Sequence, residues 1–595
     1  MESKSDKTIK NLNRRARAAR RKLDRGSKKV SRHVNTLVRD RLDNLHLIRK
    51  KVVIWLFALV VLIGLSVAQL MMIWQSNEVT AAVNGGTYAE GVVDKITTLN
   101  PIFATTETEK AASNLLYSGL FSYDSSSHLS GNLASTWSSN DGKTWYINLR
   151  KNANWSDGKQ ITADDVIFTM NLIKNATVDS PLYSTFSQDT VTKVNSYEVK
   201  FTLPSAYMSF PYSLTFGILP QHSLDNISSS NIRNFLSTDF SRNVVSGPFK
   251  YSSQETLPNG QSLWQFAPNS AYDSVVHMQT LTIRTYASEK DLVAGLNDGE
   301  INAASGVSVS DAVKTKSNQT LSQTTISDGV FAIFNLDSPA VSDSGLRKAL
   351  LVGADRSELR SSATDNSSKL KPVEPLDAPI AKGIYSSVDA MKQASFSAKS
   401  AASQLDALGW KLGANGIREK DGKSLTLNIV TIAGTDYAPV AQDLAKQWKK
   451  LGIDAQVTEA DQSTADDDYL SSRNYDVLVY DLHLGADPDE SAYWSSNQSE
   501  SGNLNFANFS DRRVDLALAG GQKQTDPTAR EARYDDFVER WMDNVPAIAL
   551  YQPRYYTITV NPIRAFSDSS LVDSSVRFAG VSGWTILSGP LNKTP

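Results

Sequence analysis

The sequence predicts one N-terminal transmembrane helix followed by a large external body of the α/β class. Three observations carry this reading. Between Lys51 and Glu78 no residue is charged, and the stretch Val52–Trp74 is almost wholly apolar. Beyond it, runs that alternate with a period of two and runs with helical spacing intermingle to the end of the chain. With 595 residues, 41% of them hydrophobic, the chain can build several cores, at about 100–200 residues per domain.

The basic tail comes first. The formal net charge of −2 hides a division: residues 1–51 hold 18 Lys+Arg and 5 Asp+Glu, a net of +13, and the remainder carries −15. The tail has no aromatic residue on which a base could stack, and it abuts a membrane segment. It reads as a topology-setting tail that meets anionic lipid, where each Lys or Arg near the surface contributes about 1 kcal/mol. Nucleic acid is not a partner in this reading.

The apolar segment comes next. The 23 residues Val52–Trp74, at about 1.5 Å rise each, span roughly 34 Å, enough for a bilayer core with some tilt. Trp55 and Trp74 sit near the two ends, as interfacial aromatics do. A buried core helix seldom lacks charge for so long. A cleaved signal peptide has a shorter apolar region, and Ala81-Ala82-Val83 is a poor cleavage site. The segment therefore reads as a retained signal anchor. Arg49, Lys50 and Lys51 flank one side only, so the positive-inside rule puts the N-terminus in the cytoplasm and the large C-terminal body outside.

A polar linker, 75–84, leads to Gly85-Gly86. Past it, Trp145–Arg150, Ser196–Thr202, Gln279–Arg284 and Leu425–Val430 alternate as strands do. Ala163–Lys174 has helical spacing, with Thr162 as N-cap ahead of Asp164 and Asp165. Ser344–Ala354, Ala398–Leu408, Ala438–Leu451 and Thr528–Met542 also read as helices. Asp421-Gly422 reads as a hairpin turn. The near-P-loop Gly416–Ser424 has one residue too many between its glycines, and a charged interior unsuited to wrapping phosphate.

The chemistry-bearing residues point away from catalysis. Cys is absent, which excludes disulfides, Cys–zinc sites, a thiol nucleophile and a lipid-modified cysteine. The six histidines, His33, His46, His128, His222, His277 and His483, form no compact ligand pair, so no metal site is expected. There is no G-x-S-x-G elbow. Asp466-Asp467-Asp468 decorates a solvated helix or loop. No spacing selects a carboxylate pair for hydrolysis.

One stretch is specific. Asn148–Val166 places Leu149, Arg150, Trp155, Asp157, Gly158, Thr162 and Asp165 in an order that resembles the signature of family 5 extracellular solute-binding proteins, the oligopeptide- and dipeptide-binding receptors of ABC importers. Its physical reading is a strand, a turn at Asp157-Gly158 and a helix capped at Thr162. Further matches follow in the family's order: Leu99-Asn100-Pro101, then Ser246-Gly247-Pro248-Phe249, then Asn297–Asn302. Asn335 with Leu346, Arg347, Ala349, Leu350, Asp355 and Arg356 matches next, then Leu405–Trp410 and Gly485–Asp489. The matches cover nearly all of residues 85–595.

The resemblance implies a bilobal periplasmic-binding-protein-like fold with an extra inserted subdomain, the lobes joined by hinge strands. Lobe I would comprise 85–117, 217–328 and 557–595, the insertion 118–216 and lobe II 329–556. It implies no enzyme activity, cofactor or metal. The ligand, a peptide or other small solute, would sit between the lobes and pass to ABC permease subunits driven by a cytoplasmic ATPase. A ligand-sensing membrane receptor that signals through the tail is the alternative. The motif residues Trp155, Asp157, Gly158, Thr162, Asp165, Gly247, Pro248, Asn335 and Arg347 would be structural. In two places the chain departs from the family pattern: Val245 stands where a glycine is usual, and Leu484 stands where peptide-binding members carry an amine-binding Asp. The expected ligand contacts are Asp487 and Trp494 beyond the strand-like run that ends at Tyr480, with Tyr480 itself, and the loop Asn100–Thr106 opposite, through Asn100, Thr105 and Thr106.

Overall fold

Pro553 has no N–H to give to a sheet ladder, and at Pro553 the chain leaves one sheet for another. The strand Ala547–Gln552 belongs to a six-stranded sheet, and Arg554–Thr559 belongs to a seven-stranded one. A second strand pair makes the same passage in reverse, from Thr320–Thr325 to Asp328–Phe334, with Ile326 and Ser327 between. Thr320–Thr325 pairs antiparallel with Arg554–Thr559, and Asp328–Phe334 pairs antiparallel with Ala547–Gln552. Between the sheets little of the ladder survives: Ile326 N–H donates to Pro553 O (3.1 Å), and Gln552 Nε2 donates to Ile326 O (3.3 Å).

The computed structural model describes residues 55–67, 69, 78–83, 85–124, 126–235, 243–257, 259–560, 563 and 570–592. In the seven-stranded sheet the central strand Thr87–Val93 runs parallel to Thr280–Tyr286 and Ala303–Ser305. The hairpin Phe249–Thr256/Ser262–Pro268 extends one edge. In the six-stranded sheet Val477–His483 lies between Asp328–Phe334 and Thr426–Ile432.

Alternation explains why the six-stranded sheet is covered on both faces. Along Asp328–Phe334, Val330, Ala332 and Phe334 pack with Leu346, Leu405, Leu444 and Trp448, from the helices Ser344–Val352, Ala398–Ala407 and Ala438–Lys450. Phe331 and Ile333 point the other way, onto Val514, Phe537 and Trp541 of the helices Arg512–Lys523 and Pro527–Asn544. A strand buried on both faces is a continuous apolar run, as it is here from Val330 to Phe334. The seven-stranded sheet is likewise two-faced, with Tyr88, Leu281 and Trp264 on one side and Leu292, Leu296 and Ile558 on the other.

A four-stranded antiparallel sheet, Ala134–Ser138, Thr144–Leu149, Glu198–Thr202 and Thr190–Asn195, lies in the segment between these strands of the larger sheet. Trp145, Ile147, Val199 and Phe201 share one continuous core with Tyr88 and Leu281.

Most elements read from periodicity are present within two residues of their expected limits. The expected hairpin exists, with Asp421 at φ 52° and Gly422 at φ 74° between Arg418–Lys420 and Lys423–Ser424. The basic tail 1–51, residues 52–54, 68 and 70–74 of the expected anchor, and residues 75–77 and 84 of the linker lie outside the described residues. Residues 55–67 are helical, and Trp55 and Phe57 are 77% and 70% exposed. Among the described residues no helix is long and apolar enough to cross a membrane.

Candidate functional site

A cavity of about 620 Å³ is walled on one side by the exit of the strand Val477–His483 and the turn after it, from His483 to Tyr493. The facing wall comes mainly from three segments. They are the helix Glu107–Leu116 with the chain that follows it to Tyr123, the segment Tyr207–Gly217, and the C-terminal stretch Val572–Ser582. The walls are thus carried by different sheets, linked through the passages at 326–327 and 553.

The lining is tyrosine-rich and acidic. Tyr117, Tyr123, Tyr207, Tyr212, Tyr272 and Tyr493 contribute to it. Burial pushes the hydroxyls of Tyr207 and Tyr493 upward, and nearby carboxylates add to the effect. Four carboxylates, Asp487, Asp489, Glu490 and Asp573, face one lysine, Lys110, whose Nζ is already bonded to Glu107 (2.9 Å). Burial and then the charge of Asp573 raise Glu107. His483 hydrogen-bonds Asp328 through Nδ1 (2.8 Å). Burial alone would lower the His483 pKa, but the Asp328 bond and charge, with Asp573 and Glu107 beyond, raise it.

Asp487 is in this wall and its oxygens are engaged. Arg530 Nη2 donates to Oδ1 and Oδ2 (3.2 and 3.0 Å), Ser209 Oγ donates to Oδ1 (2.6 Å), and Asp489 N–H donates to Oδ1 (3.0 Å). The carboxylate both braces its own turn and reaches the opposite wall through Ser209. A backbone bond from Met208 N–H to Gln522 O (2.7 Å) runs beside it.

Trp494 is not in the cavity wall. The short helix Ser491–Trp494 turns it inward, where it is 1% exposed and edge-on to Phe331 and Trp541. The expected stacking contact is therefore a core contact. Tyr480 packs between Tyr437 and Phe506, also away from the lining. Asn100 is fully buried, its amide donating to Ile232 O (3.2 Å). Thr106 caps the helix Glu107–Leu116 in a box with Glu109, and Thr105 N–H donates to the same carboxylate (3.1 Å). From that loop only Pro101 and Ala104 reach the cavity.

The motif residues are placed as scaffold. Trp155 is buried and edge-on to His222, which hydrogen-bonds Asp157 (2.9 Å). Gly158 holds φ +86°, the left-handed turn conformation that favours glycine. Thr162 and Asp165 form a capping box, and Asp165 also accepts from Gln221 N–H (2.9 Å). At Gly247 a Cβ would meet Leu115 O at 2.5 Å, so only glycine permits this approach. Pro248 touches the cavity. Asn335 donates to Arg473 O and Tyr475 O, and Arg347 gives four hydrogen bonds to the carbonyls of Val341, Ser342, Asn544 and Val545.

Sequence reasoning missed Glu490, Ser113 and Tyr117. Each lines the cavity, and each carries a buried polar atom with no partner among the described residues: Glu490 Oε1, Ser113 Oγ and the Tyr117 hydroxyl. The acidic run Asp487, Asp489, Glu490 was visible as a signal; for Ser113 and Tyr117, inside an ordinary amphipathic helix and its end, there was none.

The bacterial extracellular solute-binding proteins, family 5, match residues 128–504. The oligopeptide-binding protein AppA of Bacillus subtilis is 25% identical over 483 residues, covering 79% of this chain and 86% of that protein. OppA of Lactococcus lactis subsp. cremoris, also named an oligopeptide-binding protein, is 23% identical over 520 residues, covering 78% and 83%. Among solved structures, NikZ of Campylobacter jejuni in complex with Ni(L-His) is 25% identical with a TM-score of 0.66, covering 84% of this chain and 99% of that one. The substrate-binding protein CtaP of Listeria monocytogenes has a TM-score of 0.70 at 20% identity, covering 84% and 99%, a likeness of fold. With this fold, these relatives and a family match over more than half its length, the chain belongs to family 5 of the bacterial extracellular solute-binding proteins.

Proposed function

We propose that the chain is the membrane-anchored receptor of an ABC importer, which captures short peptides or similar small solutes and delivers them to a permease. Members of its family bind solutes and are not enzymes. The observation that carries the reading is the cavity of about 620 Å³ between walls borne by two sheets that only two strand passages connect. Its volume is within the range of about 300–1,000 Å³ usual for small-ligand sites. A ligand touching both walls makes all its contacts only when they are together, so binding favours closure. In this reading lobe I comprises 85–117, 217–328 and 557–595, lobe II 329–556, and 118–216 is the insertion. AppA and OppA, by name oligopeptide-binding proteins, support the peptide class. The expected result is that purified full-length protein, incubated with a pool of synthetic di- to nonapeptides and washed, retains a subset identifiable by mass spectrometry and binds it in calorimetry. Retention of none across the pool would overturn the peptide class.

Anchoring rests on residues 52–74, which are uncharged, on the exposed apolar side chains of residues 55–67, and on the +13 tail. Contiguous exposed apolar surface of this kind seeks a nonpolar phase. The tail lies on lipid at the cytoplasmic face and the body outside, beside the permease and its ATPase. External protease on intact cells is expected to remove the body and leave a membrane-held fragment containing the tail. A released mature form without residues 52–74 contradicts the anchor.

A further inference from the structure

A second, smaller cavity of about 40 Å³ lies beside Pro553, where the chain passes between the two large sheets. Its apolar lining comes from other faces than that of the solute cavity. In the solute cavity, Leu484 packs with Phe331 and Trp541, and Tyr117, Phe121 and Phe578 pack with Tyr88. Around the small cavity, Val330 and Tyr551 share the core of Leu444 and Trp448, and Val309 and Tyr556 that of Leu292 and Leu296. The two cavities therefore stand on opposite faces of the strands that cross at 326–327 and 553. A rotation about those passages that parts the walls of one presses the walls of the other together.

Two half-buried carboxyls border the small cavity, Asp436 and Asp481. Asp436 follows the strand Thr426–Ile432 of the six-stranded sheet and reaches across to the other side. Val309 N–H, at the start of the short helix Val309–Ala312, donates to Asp436 Oδ1 (3.1 Å). Beside it Ser308 N–H donates to Glu289 Oε1 (2.6 Å), so a second carboxylate, from the helix Glu289–Asp298, stands close to the first. Asp311 is paired with Lys314 (2.8 Å). Arg554 also borders the cavity, but its guanidinium is committed to the carbonyls of Pro372 and Gln323 and to Thr325 Oγ1. Tyr437, Tyr551 and Tyr556 complete the titratable lining; burial pushes their hydroxyls upward, so they stay neutral. We propose that Asp436 is a proton-operated stop behind the hinge: it takes up a proton as the solute cavity opens, so acid favours the open, solute-releasing form. This deepens the receptor reading above and rests on its closure step.

The direction follows from the lever. Opening the solute cavity presses Asp436 toward Tyr556 and Glu289. The carboxyl loses solvent and meets a like charge, and both favour its protonated form. In this structure, whose solute-cavity walls meet through Ser209 and Asp487, the group is already pushed up to about 6. Burial does this, with the charge of Glu289, against the bond from Val309 N–H. Burial and the charge of Asp328 bring Asp481, beside it, to about 6 as well, with His483 opposing. A proton held more tightly in the open form shifts the population toward that form as pH falls toward this value. At lower pH both forms are protonated and the effect levels off.

The test uses full-length protein in detergent. The chain has no cysteine, so Lys143→Cys with Lys523→Cys gives two unique sites for spin labels. Both side chains are exposed, and they flank the bond from Met208 N–H to Gln522 O across the solute cavity. Without peptide, the ratio of long to short label distances is expected to rise roughly three- to tenfold from about pH 7.5 to about pH 5.5, the span that one proton bound up to tenfold more tightly can give. Asp436→Asn keeps an acceptor oxygen for Val309 N–H and cannot titrate, so most of that rise should vanish. Val309→Pro removes the donor at a first helical position, which tolerates proline; the response should persist with its midpoint at higher pH. A parent ratio that is flat or falls in acid, an Asn variant that responds as the parent does, or an unmoved midpoint in Val309→Pro overturns the role of Asp436. The peptide pool at about pH 7.5 should shorten the distances in parent and variants alike. If it does so while the pH response fails, the receptor reading stands without this inference. If it leaves the distances unchanged, the closure step fails, and this inference with it.

Discussion

Arg577→Met is expected to destabilise the protein by about 3–5 kcal/mol, the usual cost of breaking a buried ion pair from one side. Glu90 and Arg577 are 1% and 6% exposed. Arg577 Nε and Nη2 both donate to Glu90 Oε2 (3.1 and 3.0 Å), and Nε also reaches Oε1 (3.2 Å). Ser305 Oγ donates to the same Oε1 (2.6 Å). Methionine matches the stem of the arginine but leaves Glu90 charged in a dry sheet interior. The pair also pins the C-terminal stretch Val572–Ser582, one wall of the cavity, to the central strand Thr87–Val93. Ligand affinity should therefore fall together with stability. Urea unfolding followed by tryptophan fluorescence measures the loss. The double variant Glu90→Gln/Arg577→Met should recover part of it, because no charge then remains unpaired. A single variant within about 1 kcal/mol of the parent would mean that the pair does not hold this wall.

The second large effect is expected at Arg530. Its guanidinium is 15% exposed and Asp487, its partner, 13%. Arg530 Nη2 also donates to Ser209 Oγ (2.9 Å), so the cation joins Asp487 and Ser209 on the two sides of the cavity. Arg530→Met should cost about 2–3 kcal/mol, less than a fully dry pair because residual solvent screens it. It frees Asp487 and removes the tie to Ser209. We expect the ligand-free protein to open: small-angle scattering should give a larger radius of gyration than the parent, and Ser209→Ala, which keeps the ion pair, should give a smaller part of the same change. An unaltered radius in both variants rejects a role for this contact in holding the walls together.

The fold was readable wherever local pattern decides structure. The strand Thr144–Leu149 alternates because one face is buried, and Ala163–Ile173 starts where Thr162 and Asp165 can cap it. Asp421-Gly422 turns because both residues accept positive φ. The site was less readable, because its walls come from segments far apart in sequence. Trp494 follows Asp487 closely along the chain, yet one turn of helix buries it against Trp541, while Tyr493 beside it lines the cavity. Asp487 was correctly placed at a strand exit, but nothing local told of Arg530, 43 residues on, or of Ser209, 278 residues back. The unpaired oxygen of Glu490 is a property of packing, which no periodicity encodes.

The strand Arg554–Thr559 has a consequence for how the protein is made. It lies between Ala303–Ser305 and Thr320–Thr325, so until it is synthesised those two strands have no neighbour on their facing edges. Thr325 and Arg554 meet across 229 positions. Such a distant partner is slow to find, since loop closure must precede any gain from pairing. Through most of translation the nascent chain therefore carries two open sheet edges, surfaces that recruit stray strands and invite aggregation. The six-stranded sheet waits as well, for Ala547–Gln552. Both halves thus complete together, on the one stretch that carries Ala547–Gln552 and Arg554–Thr559. A ribosome that stalls before that stretch leaves a product with neither sheet finished, a substrate for chaperones and proteases.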